Sequence, residues 1–239
     1  MSRVRLFTDR DITPLQEITL SKEQSHYLVN VMRLGNGDTL LIFNGRDGEY
    51  SAEIVDARKR SAILSVGERT AEMLMPPDLW LVFAPIKKAR TDFIVEKATE
   101  LGVRHIQPVI TRFTNSERLR TDRLRAHAVE AAEQCGGTFV PEVAEPVKLD
   151  TLLEGWETDR SLIFCDEARE AAPLQQEVQH LTGPAAILVG PEGGFAPDEV
   201  TSLKNKSFVC PVSLGPRILR ADTAAVAAIS IWQAVKGDW

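Results

Sequence analysis

Beyond residue 78 the chain alternates short, almost wholly apolar runs with longer segments whose apolar residues recur at helical spacing. The apolar runs at 79–84, 103–110, 162–165, 185–189 and 209–213 predict strands. The segments 91–101, 118–135, 174–181, 198–203 and 223–235 predict helices, and in the first of them Phe93, Ile94, Ala98 and Leu101 share one face. A strand that is apolar on both faces must be covered on both, and a helix between successive parallel strands does this. The expected architecture is therefore α/β with a mostly parallel sheet. Open sheets of this kind bind ligands beyond the carboxyl ends of their strands. That directs attention to the loops after Val189 and after Ser213.

The first 70 residues follow a different pattern. Asn36-Gly37, Asn44-Gly45 and Asp47-Gly48 are turn dipeptides, with short apolar or alternating runs at 39–43, 49–55 and 61–66. Short strands closed by such turns predict a small β-barrel. Ser21, followed three residues later by Gln24, matches a capping box and predicts a helix over 21–32. Met73-Leu74-Met75-Pro76-Pro77-Asp78 then interrupts any regular element, since proline lacks the N–H that helix and sheet require. Two domains are expected, 1–72 and 73–239.

Composition excludes several classes. With 44% hydrophobic and 26% charged residues, the chain can bury a core and is not a disordered or low-complexity protein. No window holds the roughly 18 uninterrupted apolar residues of a membrane-spanning helix. Residues 1–10 lack the apolar run of a signal peptide. The three cysteines, Cys135, Cys165 and Cys210, are too scattered for a disulfide framework or a zinc site, and the four histidines show no HExxH spacing. A reducing cytoplasm and no metal are expected. The net charge of −6 is unevenly spread: residues 87–125 carry ten basic against five acidic side chains. Overall acidity argues against indiscriminate nucleic-acid binding, whereas the basic stretch permits a targeted contact.

Two loops carry the chemistry. Leu188-Val189-Gly190-Pro191-Glu192-Gly193-Gly194-Phe195 joins an apolar strand to a helix, and its glycines allow close backbone approach to a ligand or simply a tight turn. It matches neither GxGxxG nor the phosphate loop GxxxxGK[ST]. Ser213-Leu214-Gly215-Pro216-Arg217-Ile218-Leu219-Arg220-Ala221-Asp222-Thr223 also joins a strand to a helix. Its two arginines suit an anionic or enolate-like group, or a surface ion pair. Asp222 and Thr223 read as helix N-caps.

These loops, with the small-residue helix that follows, resemble the SPOUT superfamily of RNA methyltransferases, and within it the ribosomal RNA small subunit methyltransferase E family. Further stretches match that family: His26-Tyr27-Leu28 leading to Arg33-Leu34 and Gly37-Asp38, Glu96-Lys97-Ala98-Thr99-Glu100-Leu101-Gly102-Val103, and Ala131-Ala132-Glu133-Gln134-Cys135-Gly136. The resemblance implies a PUA-like RNA-binding domain over 1–72 and a parallel sheet tied into a trefoil knot over 73–239. It implies S-adenosylmethionine as cofactor, a homodimer, and methylation of N3 of a uridine in the decoding region of 16S rRNA, on free RNA or on the 30S subunit. Carried over position by position, the cofactor pocket would use Leu188, Gly190, Pro191, Gly193, Gly194, Leu214, Gly215, Ile218 and Leu219. Two departures stand out: Ala221-Asp222-Thr223 replaces the commoner Thr-Glu-Thr, and Gly137 replaces an arginine.

Uridine N3 must lose a proton to attack, and the charge spreads onto its flanking carbonyls. Arg220 or Arg217 would stabilise that anion, with Glu192 and Asp222 as candidate bases. Arg33, Arg112, Arg118 and Arg120 are candidate RNA contacts, or solvated charges. Two further readings remain open: a non-catalytic RNA-binding assembly factor with the same fold, and a small-molecule enzyme holding a phosphate on its glycine turns.

Overall fold

The computed structural model describes residues 4–115, 119–168 and 170–239. The described chain forms two compact units. One holds the residues up to Met75 together with Ala132–Val140, and the other holds the remainder.

In the first unit, β1 (Arg5–Phe7), β2 (Glu17–Thr19), β3 (Thr39–Phe43), β4 (Glu49–Asp56) and β5 (Ile63–Ala71) form a sheet of order β1-β3-β4-β5-β2. β1 lies parallel to β3, and the other pairs are antiparallel. Alternation along β3 and β4 sends Leu40, Ile42, Ala52 and Ile54 into one core with Leu6, Ile18, Leu28 and Leu64. The Ser21 capping box forms as expected: Ser21 Oγ accepts from Gln24 N at 3.2 Å, and Gln24 Oε1 accepts from Ser21 N at 3.1 Å. The helix it opens differs from the expectation. α1 (Lys22–His26) passes into a wider π-helical turn, Tyr27–Val31, closed by Met32 N donating to Tyr27 O at 2.9 Å. Segment 132–140 belongs to this unit because the Arg5 guanidinium donates to Ala132 O and Gly137 O at 2.6 and 2.9 Å while pairing with Glu49 at 2.7 Å.

In the second unit, β6 (Leu79–Phe83), β7 (His105–Ile110), β8 (Glu142–Val143), β9 (Val147–Lys148), β10 (Ser161–Cys165), β11 (Ala185–Val189) and β12 (Val209–Val212) form one sheet. Its order is β12-β10-β11-β6-β7-β8, with β9 paired to β7, and every pairing is parallel. The helices are α2 (Lys88–Glu100), α3 (Thr121–Cys135), α4 (Leu149–Glu154), α5 (Leu174–His180), α6 (Pro197–Lys204) and α7 (Ala221–Lys236). Val82, Leu162, Phe164, Ala186 and Leu188 face a core that also takes Leu149 and Leu153 of α4 and Leu203 of α6. The alternate residues Leu81, Ile163 and Ile187, also fully buried, point to the opposite face. There α7 meets β11 and packs against α2 and α5. The alanines at 224, 225 and 228 are buried in this contact, where small side chains bring α7 close to its neighbours. The buried Gln233 amide donates to Leu101 O at 2.6 Å, tying α7 to the carboxyl end of α2.

The helix expected over 118–135 begins at Thr121. Arg120 precedes it, and its carbonyl accepts from Arg123 N and Leu124 N at 3.1 and 3.2 Å. β8, β9 and α4 had no counterpart in the sequence reading, because two-residue strands and a six-residue helix are too short to show a period. Among the described residues no helix is long and apolar enough to cross a membrane.

Candidate cofactor and methyl-transfer site

Three strand-end loops on the carboxyl edge of the parallel sheet meet at one cavity of about 220 Å³. The exit of β10 brings Cys165, Asp166 and Glu167. The loop after β11 brings Val189 to Glu192, Gly194 and Phe195. The loop after β12 brings Leu214, Gly215 and Arg217 to Arg220, with Ala221 and Ala224 from α7. Most of the expected cofactor residues therefore converge: Gly190, Pro191, Gly194, Leu214, Gly215, Ile218 and Leu219 all line it, as do Glu192, Arg217 and Arg220. Leu188 does not line it; its side chain is fully buried in the core beneath. Gly193 backs onto Phe113, whose Cβ would lie 3.4 Å from a Cβ at that position.

The loop after β11 owes its shape to two glycines. A Cβ at Gly190 would lie 2.5 to 3.1 Å from three carbons of the Phe195 ring. That ring has little room to retreat, since it is 8% exposed and packs edge-on against Phe164 with centroids 5.2 Å apart. Gly194 has φ +70°, and a Cβ there would overlap the Glu167 carboxylate.

Glu199 fixes the far end of that loop. It is 8% exposed, and both its oxygens accept backbone bonds: Oε2 from Ala196 N and Oε1 from Arg112 N, each at 2.8 Å. One buried carboxylate thus starts α6 and pins the loop after β7 to it. Arg112 also pairs with Asp198 at 2.6 Å, both side chains being exposed.

Arg90 stands in the first turn of α2, seven residues past the end of β6. Its Nη1 lies 3.6 Å from Glu192 Oε1 and 3.8 Å from Asp222 Oδ2, so it sits between the two candidate bases. Thr91 holds this turn in place, accepting from Ile86 N and donating to Ile86 O, both at 3.0 Å. The N-cap expectation for Asp222 and Thr223 is corrected. α7 begins at Ala221 with Arg220 as its N-cap residue, so Asp222 lies inside the first turn and its Oδ1 accepts from Thr223 N at 2.9 Å. Its other oxygen is thereby left to face Arg90. Asp222 does not line the cavity, whereas Glu192 does.

Arg217 and Arg220 are exposed at the cavity wall and make no ion pair with any described residue. Burial pushes the Cys165 thiol up to about 12, so it stays protonated and is not a nucleophile. Among the described residues no three His, Cys, Asp or Glu side chains are grouped to hold a metal. Of the expected RNA contacts, Arg33 takes a left-handed conformation with φ +58°. Arg120 is exposed and paired with Asp122 at 2.5 Å, and Arg118 lies outside the described residues.

Three residues with a stake in the site were not singled out from sequence: Arg90, Glu167 and Glu199. Arg90 and Glu167 follow apolar runs within a few residues, and a charge just past a predicted parallel strand was the available signal; Glu199 stands in the first turn of α6, where an acid reads only as a helix-start residue.

A parallel sheet with a glycine-shaped pocket and two exposed arginines at its carboxyl edge is the ligand site of an open α/β protein, placed to receive a group carrying negative charge. The chain matches the RNA methyltransferase domain family over residues 74–233 and the RNA methyltransferase PUA domain family over residues 20–67. It is 30% identical over 229 residues to the ribosomal RNA small subunit methyltransferase E of Rickettsia conorii, covering 95% of this chain and 93% of that one. It is 32% identical to the protein of the same name from Synechocystis, over 89% of this chain and 71% of that one. The solved ribosomal RNA small subunit methyltransferase E of Neisseria gonorrhoeae, bound to S-adenosylmethionine, superposes with a TM-score of 0.91 at 26% identity, over 99% of both chains. The chain belongs to the ribosomal RNA small subunit methyltransferase E family.

Proposed function

We propose that this protein methylates N3 of a uridine in the decoding region of 16S rRNA, with S-adenosylmethionine held in the cavity after β10, β11 and β12. The convergence of the two glycine-bearing loops with Arg217 and Arg220 in that one cavity carries the reading. The fit to this cofactor is good. Apolar side chains of Leu214, Ile218, Leu219 and Phe195 offer walls for an adenine, and Gly190 and Gly194 leave the backbone open to polar contact. The cofactor supplies an electrophilic methyl group on a sulfonium.

The protein's own residues do the rest. Uridine N3 is buried in a base pair, so the substrate is an unpaired or extruded base. As N3 loses its proton, negative charge grows on the two flanking carbonyl oxygens. Arg220, supported by Arg217, meets that charge from the cavity wall. Glu192 takes the proton, because it lines the cavity and Asp222 does not. Arg90 and Asp222 then orient Glu192. The PUA-like domain at 1–72, with Arg33, holds the RNA through its phosphates, and Arg112, Arg118 and Arg120 supply further phosphate contacts. The protein works in the cytoplasm as a homodimer, acting on 16S rRNA, either free or within the 30S subunit.

Arg220→Ala tests the electrostatic role. Losing one preorganised donor to a developing anion costs about 10²–10³ in turnover, with cofactor affinity retained. Full turnover at saturating substrate would remove Arg220 from the mechanism.

A further inference from the structure

Among the described residues that line the cavity, Glu167 is the one whose carboxylate makes no ion pair. Asp166 anchors the strand end that carries it. Asp166, 5% exposed, donates its N–H to Val212 O at 2.9 Å, accepts from Ala168 N at 3.0 Å, and pairs with Lys204 at 2.7 Å. Asp166 is therefore spent on structure. Glu167, the next residue, makes no ion pair with any described residue, and its carboxylate occupies the space above Gly194 that any other residue's Cβ would fill. The other carboxylate in the cavity, Glu192, is engaged by Arg90.

The position matters. β10 is the immediate neighbour of β11 in the sheet. A carboxylate just past one parallel strand, next to a glycine loop on the adjacent strand, is the arrangement by which open α/β sheets hold the vicinal hydroxyls of a ribose. A carboxylate has two acceptor oxygens and a ribose presents two adjacent donors. Resting on the cofactor reading above, we infer that Glu167 binds the ribose 2′- and 3′-hydroxyls of the adenosyl cofactor. Gly194 lacks a side chain so that this carboxylate can lie over the loop. Glu167 is then a binding residue and takes no part in the methyl transfer itself.

The test is equilibrium binding of S-adenosylmethionine, S-adenosylhomocysteine and 2′-deoxy-S-adenosylhomocysteine to the wild type and to Glu167→Ala. Hydrogen bonds to a charged acceptor predict about a ten- to hundredfold loss of affinity for both natural ligands in the variant. The wild type prefers the ribose form over the 2′-deoxy form, and the variant loses most of that preference. An unchanged melting temperature is expected, since Glu167 is exposed. Unaltered affinity in Glu167→Ala would overturn the inference, as would a full preference for the ribose form in the variant. Loss confined to S-adenosylmethionine would also overturn it, by assigning Glu167 to the sulfonium charge. If the wild type binds none of the three, the cofactor reading itself falls and this inference with it.

Discussion

Glu199→Gln is the change that most sharply tests how the site is held. The variant keeps the shape of the side chain and removes its charge. Glu199 now accepts two backbone N–H groups, from Ala196 and Arg112, each at 2.8 Å, in a site 8% exposed. A glutamine has one carbonyl oxygen, so it can satisfy one of them. Its NH2 would face the other N–H, placing two donors together with no acceptor between them. Leaving one buried donor unpaired costs about 1–3 kcal/mol. For a chain of this size that lowers the melting temperature by about 2–10 °C. The loss is local to the start of α6 and the loop after β7, which flank Phe195 and Gly193 of the cofactor loop. S-adenosylmethionine affinity is expected to fall along with stability. Thermal denaturation with and without cofactor, together with equilibrium binding, reads both effects. A variant as stable as the wild type and as tight for cofactor would refute the idea that this carboxylate organises the site.

Other consequences follow from the same packing. Gly190→Ala forces a Cβ within 2.5 Å of the confined Phe195 ring, so it costs about 1–3 kcal/mol by overpacking and abolishes cofactor binding in a titration. Glu192→Gln removes the proposed proton acceptor and lowers turnover by about 10²–10⁴ while leaving cofactor affinity within twofold by the same principle of separable roles, about 1–2-fold in a binding assay. Acid sensitivity is expected at His105, whose ring stacks on Trp80 with centroids 4.3 Å apart. Burial lowers its pKa from 6.5, with Glu142 opposing the shift in part. The unfolded chain therefore takes up the proton first, so this contribution is complete above pH 6.5 and is lost as pH falls toward the folded-state pKa. His105→Phe keeps the stack and removes that pH dependence; melting curves across pH 5–7 for both proteins, on the order of one unit either side of an ordinary histidine, check it.

Much of this was legible in the sequence because the physics is local. The strand at 185–189 is apolar at every position, and Ala185–Val189 is buried throughout. The capping box at Ser21 is a pairing of two side chains three residues apart, and it formed. The two glycine-bearing loops lie where a parallel sheet places its ligands. What stayed hidden depends on distant partners. Arg90 reads as one charge in a basic run until α2, α7 and the loop after β11 bring Glu192 and Asp222 beside it. Glu199 reads as a helix-start acid until Arg112 N, 87 positions away in sequence, is found on it. Segment 132–140 joins the first unit through Arg5, a contact no periodicity encodes. Asp222 failed as an N-cap because α7 starts two residues earlier than its side chain suggested, with Arg220 as the N-cap residue.

The central claim is chemical, and one measurement meets it directly: methyl transfer from labelled S-adenosylmethionine to purified 30S subunits, with nucleoside analysis of the digested RNA. The account predicts label in 3-methyluridine. Label in another nucleoside would contradict the target. No label from a protein that still binds the cofactor would contradict catalysis on this subunit and favour a role in binding the RNA.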